Sequence, residues 1–185
     1  MSIGAISDAS PIIYFAKMGQ LDLLVQVMGV VGVPPAVHRE AVEVGQRHGR
    51  PDASRIAQSL AKGDLVHVAL TEQESQLSQS LQARDNLGPG ESETIACAYH
   101  RNAIALLHDK RARRVAGDYQ VATRQAVDVL FLSLLRRFKT PAEFAELLRR
   151  LAVLTGMDAA TLVEREALAA EIAEQLARYG GDNHE

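Results

Sequence analysis

The run Ala103-Ile-Ala-Leu-Leu107 constrains this chain more than any other stretch. Five apolar residues without polar alternation make a strand covered on both faces, so helices must lie on each side of its sheet. The flanking sequence supplies them. Residues 89 to about 101 read as a helix before the strand, and Lys110 to Asp118 as a basic helix after it. The same alternation starts the chain. Ile3 to Ser7 is a short apolar strand, and Ser10-Pro11 marks a helix start, hydroxyl cap then proline, for a helix near 10–18. Leu21 to Met28 is a second helix, Val30-Val-Gly-Val33 a second strand, and Pro34-Pro35 opens a helix carrying Glu40 and Glu43. A helix from Pro51 ends before Gly63, and Leu65 to Leu70 is a strand candidate. Thr71-Glu-Gln-Glu74 is a capping box that starts a polar helix reaching about Leu87. Gln120 to Ala122 reads as a short strand or turn, and 125–138 as an apolar helix. Thr140-Pro-Ala-Glu143 is a second capping box, and the last helix runs from about Asp158 to Tyr179. Strands alternating with helices predict an α/β domain with a mostly parallel sheet.

In such a sheet, ligands bind outside the carboxyl ends of the strands. Asp8 ends the first strand and Asp109 ends the 103–107 strand, each directly before a helix. If the strands are neighbours, both carboxylates face one crevice. Either residue could instead simply cap its helix. Glu40 follows Val37 by three residues and so borders the face defined by Val37, Ala41 and Val44, with Glu43 as its competitor.

The segment Gly88-Pro-Gly-Glu-Ser-Glu-Thr-Ile-Ala-Cys-Ala98 resembles a phosphate-cradling loop at first sight. It fails that test, because no lysine lies between Lys62 and Lys110 and Glu91 follows Gly90. Two carboxylates in a first helical turn repel phosphate. They suit a helix N-terminus, and they suit a hard divalent cation such as Mg²⁺ or Mn²⁺.

Charge is unevenly spread over the 185 residues: the net is −3 overall, but +6 within residues 101–139. That basic segment can meet a polyanion or the acidic tail. One cysteine, Cys97, cannot form an internal disulfide, which predicts a reducing, cytoplasmic setting. The N-terminus shows no basic and apolar leader pattern, and the apolar runs are too short to span a membrane. Aromatic residues are only 4% of the chain, so base stacking is not a theme of the composition, and His108 and His38 receive no role.

Three segments together, "SDASPIIYFAKMGQLDLL", "VPPAVHREAV" and "LGPGESETIACAYHRNAIALLHDKRARRVA", resemble PIN domains in order and spacing over residues 3–139. They are most similar to a prokaryotic PIN-like subgroup related to VapC-type toxins. The resemblance implies a three-layer α/β/α domain at 1–139, with residues 140–185 as a helical extension packed on it or used for partner contacts. It implies an acidic site for Mg²⁺ or Mn²⁺, with Asp8, Glu40, Glu93 and Asp109 as the catalytic acids. Asp8, Glu93 and Asp109 would hold the metal, with Ser10 and Glu91 supporting.

Two features depart from the subgroup. Many relatives carry two adjacent acids where this chain has His108-Asp109. The later loop, glycine-rich with a Thr in the subgroup, reads Thr123-Arg-Gln-Ala-Val-Asp128 here, so Thr123 and a compensating Asp128 would fill that place.

The implied activity is endoribonuclease cleavage leaving 5′-phosphate and 3′-hydroxyl ends, as the toxin of a toxin–antitoxin pair. Lys110, Arg111, Arg113 and Arg114 would hold RNA, a homodimer is expected, and a small antitoxin would be the partner. The competing reading is a non-catalytic PIN-like module that binds RNA or a protein. A receiver-type phospho-acceptor is more distant, since adjacent acids after the first strand are missing.

Overall fold

The computed structural model describes the backbone of residues 3–180 and the side chains of residues 3–178. Two compact units divide at Ala126/Val127. The first is built on five parallel strands: β1 (Ala5–Ser7), β2 (Val31–Val33), β3 (Leu65–His67), β4 (Ile104–Leu106) and β5 (Thr123–Arg124). Their spatial order is β3-β2-β1-β4-β5. The chain thus winds outward from β1 to β3, then returns to the other side of β1 for β4 and β5. The switch point lies between β1 and β4, where Ser7 sits in register with Leu106. In parallel sheets ligands bind at such a point, outside the carboxyl ends of the strands.

Helices complete an α/β/α arrangement. α1 (Ala9–Met18) and α2 (Leu21–Met28) lead from β1 to β2. α3 (Pro35–His38), a π-helical turn (Arg39–Val44), α4 (Gly45–Arg47) and α5 (Pro51–Lys62) lead to β3. Ile12, Phe15 and Ile56 are fully buried on α1 and α5, which pack together. α6 (Glu72–Asp85), α7 (Pro89–Arg101) and α8 (Lys110–Asp118) form another core with Ile6, Ala105 and Leu107 of the sheet. There Leu81, Ile95, Cys97 and Val115 are buried. Burial pushes the Cys97 thiol up to about 12, with Glu74 adding to the shift, so this cysteine stays protonated and inert.

The second unit holds α9 (Ala126–Leu135, beginning at the boundary), α10 (Pro141–Thr155) and α11 (Ala159–Gly180). The Phe131 and Phe144 rings pack tilted at 55° with centroids 4.9 Å apart within it, and Arg149 pairs with Glu166 at 2.8 Å to join α10 to α11. Of the spaced residues on α11, Leu168 is exposed while Ile172 and Leu176 are half-buried, and the Tyr179 side chain lies outside the described residues. Among the described residues no helix is long and apolar enough to cross a membrane.

Local signals placed most elements. Both capping boxes form: Thr71 accepts from the Glu74 amide and Thr140 from that of Glu143, and each glutamate reaches back to its cap amide. Four expectations are corrected. Helix α1 begins at Ala9 with Asp8 in the cap position, so Ser10 is a helical residue and not the cap. The Asp8 amide donates to the Leu106 carbonyl at 3.0 Å, which extends the sheet pattern to Asp8 and lets the helix start directly after it. The third strand stops at His67. Of the two readings of Gln120–Ala122 the strand falls away and the turn holds: the chain closes α8 with Gln120 at φ 59°, and the last strand is Thr123–Arg124. The fourth correction concerns the helix after β2. Val42 is buried and Val44 exposed, because a π turn takes one residue more than an α turn and shifts the buried face.

Candidate functional site

Asp8 directly follows β1 at the β1/β4 switch point. The residue is 93% buried, and although it holds the cap position of α1 its side chain makes no capping hydrogen bond there. Burial is the main force raising its pKa, opposed by the Ala9 amide and reinforced by the nearby charges of Glu40 and Glu91, to about 6. A carboxylate held this way is costly in its charged form unless a cation joins it.

Gly90 explains how the acids come so close. It is buried inside the first turn of α7, within the helix the sequence predicts. A methyl group placed on it would lie 3.0 Å from Asp8 Oδ1, 3.5 Å from Val37 Cγ2 and 3.6 Å from Glu40 Oε2. Asp8 and Glu40 therefore lean on the same spot of bare helix backbone. The competitor Glu43 points elsewhere, to His38 Nδ1 at 3.3 Å and Arg47 at 3.9 Å. The π turn between Arg39 and Val44 sets the angular offset of the two glutamates, which a 3.6-residue period does not foresee.

Glu93 and Asp109 stand at the same end of the sheet with one oxygen each engaged. Glu93 Oε2 accepts from the Ala36 amide at 2.7 Å. The reason is local: Pro34 has no side-chain acceptor and Pro35 no amide, so the first free amide of α3 needs a cap from outside. Glu93 thereby ties α7 to α3 and fixes the helix that leads to Glu40. Asp109 caps α8, its Oδ1 accepting from the Ala112 amide at 2.9 Å. Glu91 Oε2 accepts from the Gly88 amide at 2.9 Å, and its charge still reaches Asp8.

Of the supporting residues, Ser10 lies one turn before Tyr14 on α1 and holds the Tyr14 hydroxyl's pKa down against the burial that raises it. Thr123 lies in β5, opposite Ala105. Asp128 belongs to the second unit, in the first turn of α9. On α8, Lys110, Arg111 and Arg114 are exposed, while Arg113 Nη1 donates to the His108 carbonyl at 2.8 Å. Sequence reasoning missed Tyr14 altogether. Its four-residue spacing from Ser10 on a helix was the available signal.

The donor chemistry fits a hard divalent cation at Asp8 and Glu40: both offer oxygen, and Asp8 has a raised proton affinity that a cation would relieve. Among the described residues, no group of three or more His, Cys, Asp or Glu side chains is arranged as a finished metal cage. A family model described as PIN domain matches residues 4–171 of the chain. No curated protein matches it.

Proposed function

The chain belongs to the PIN-domain family, generally nucleases, and from that premise we propose that it is a divalent-metal-dependent endoribonuclease. The observation that carries the reading is the buried Asp8 facing Glu40 across Gly90 at the switch point of a parallel sheet. Asp8 and Glu40 would hold Mg²⁺ or Mn²⁺, with Glu93 and Asp109 contributing the oxygens not committed to helix amides. The bound cation supplies an acidified water and positive charge for the scissile phosphate. Asp8 must lose its proton for the cation to enter. Glu40, on the exposed lip, orients the attacking water. Lys110, Arg111 and Arg114 hold flanking phosphates, which makes binding salt-dependent. Exposed Leu168 and Val163 on α11 support a homodimer or a small antitoxin-like partner as the companion of this activity.

The test uses structured and unstructured RNAs with Mn²⁺, Mg²⁺ or EDTA. Cleavage is expected with either metal and none in EDTA. Asp8→Asn and Glu93→Gln are expected to lower the rate by about 100-fold or more. Equal cleavage by wild type and both variants would overturn the mechanism.

Gly90→Ala probes the same geometry from another side. Alanine favours a helix over glycine by about 1 kcal/mol, so thermal stability is expected to hold or rise slightly. The new methyl meets Asp8 Oδ1 at 3.0 Å, so the metal-dependent rate is expected to fall at least about tenfold. Melting curves and cleavage assays read the two effects separately, and a fully active Gly90→Ala enzyme would show that Asp8 does not need this close approach.

A second reading has one observation in its favour. Glu93 and Asp109 each spend an oxygen on a helix amide, and the acids form no finished cage. A module that binds RNA without cutting it would keep the basic helix and need no metal. Salt-sensitive RNA binding without cleavage in any metal is its signature.

A further inference from the structure

Two rings at the carboxyl ends of β1 and β4 have no part in the metal chemistry. Tyr14 lies on α1, one turn after Ser10 and within the field of Asp8. Its ring meets the His108 imidazole edge to face, with centroids 5.3 Å apart and planes at 84°. His108 follows β4 and immediately precedes Asp109. Both rings are half-exposed. The His108 carbonyl accepts from the Arg113 guanidinium. An aromatic pair has thus been assembled beside the acids in a chain that has few aromatic residues.

The geometry suits one kind of guest. In an edge-to-face pair, the ring that offers its edge keeps both faces uncovered by its neighbour, and the other ring keeps its far face. A planar base can therefore stack without breaking the pair. The exposed cations of α8 begin two residues after His108, so a polyanion held by them passes these rings. We propose that Tyr14 and His108 form a stacking subsite for the base of an unpaired RNA nucleotide next to the scissile phosphate. This rests on the RNA-cleavage reading of the site. Tyr14 and His108 are positioning residues: they hold the nucleotide so that its phosphate meets the acids.

The experiment measures equilibrium binding in EDTA, by fluorescence anisotropy, of an adenine RNA octamer and an abasic octamer of equal charge. Wild type is expected to prefer the adenine octamer by about tenfold. Tyr14→Leu and His108→Ala are expected to erase most of that preference, and Tyr14→Phe, which keeps the ring, to retain it. Lys110→Ala is expected to weaken both octamers equally. Circular dichroism checks the fold, and His108→Ala on the half-exposed rim keeps the test open if Tyr14→Leu is unstable.

Three results would overturn the proposal: no preference in wild type, an unchanged preference in Tyr14→Leu and His108→Ala, or equal losses in Tyr14→Phe and Tyr14→Leu. Because binding is read without metal, failure of cleavage and failure of the subsite are distinguishable. Base preference without cleavage sinks the nuclease reading and keeps an RNA-base subsite. Cleavage without base preference does the reverse.

Discussion

Asp8→Asn stabilises the metal-free protein at pH 7.5 by up to about 3 kcal/mol, even as it removes metal-dependent cleavage. Burial, with the charges of Glu40 and Glu91 added and the Ala9 amide opposing, lifts Asp8 from an ordinary 3.8 to about 6. Each pKa unit corresponds to about 1.36 kcal/mol. A carboxyl raised in the folded state contributes stability below its unfolded pKa, and that contribution is lost as pH rises through the folded value. At pH 7.5 the folded chain therefore carries an ionised, buried carboxylate at a cost that asparagine does not have. Urea unfolding in EDTA at pH 7.5 and pH 4 reads this directly. The gain is expected to be large at pH 7.5 and to shrink towards zero at pH 4. A gain equal at both pH values would show that it arises from packing and not from the charge. In saturating Mn²⁺ the order is expected to reverse, because only wild type is stabilised by binding.

Arg101→Met is expected to cost about 3–5 kcal/mol at pH 7.5. The Glu74 side chain is 1% exposed and meets the Arg101 guanidinium at 2.6 and 2.9 Å, while Arg101 also donates to the Ala69 carbonyl at 2.8 Å. Methionine keeps most of the stem but leaves Glu74 charged and buried without its partner. In wild type, burial pushes the Glu74 carboxyl up, but the guanidinium and the Thr71 hydrogen bonds outweigh it and hold the carboxyl below the ordinary range. That stabilisation is present above the unfolded pKa and lost as pH falls through the folded value. The deficit of Arg101→Met is therefore expected to narrow in acid, where its orphaned Glu74 can take a proton. The double variant Glu74→Gln/Arg101→Met is expected to recover much of the loss. Strict additivity of the two single effects in denaturant unfolding would show that the pair is not coupled. The consequence reaches function as well, since Arg101 ends the helix that carries Gly90, Glu91 and Glu93.

Much of this protein is written in short-range patterns. The apolar run at 103–107, the caps at Thr71 and Thr140 and the proline starts at Pro35, Pro51 and Pro141 act within one turn of chain, so the sequence by itself determined the alternation of strands and helices. It also determined that Asp8 and Asp109 end strands, because strand ends follow from where apolar runs stop. The sheet order decided the rest. Once β4 lies beside β1, those two strand ends lie side by side, and no local pattern says that they must. The two aspartates look alike in sequence and both hold cap positions, yet only the Asp109 side chain makes the capping bond; Asp8 is buried against Gly90 and Glu40. Glu40 is separated from Glu43 by a π turn that follows no hydrophobic period, and Glu93 is drawn to α3 because two prolines leave an amide uncapped. Residues 57 apart met through one hydrogen bond, and Tyr14 met His108 across the β1/β4 switch point. Local physics chose the elements; the packing of helices on a five-stranded sheet chose which side chains share the site, because burial and mutual charge exist only once those helices are in place.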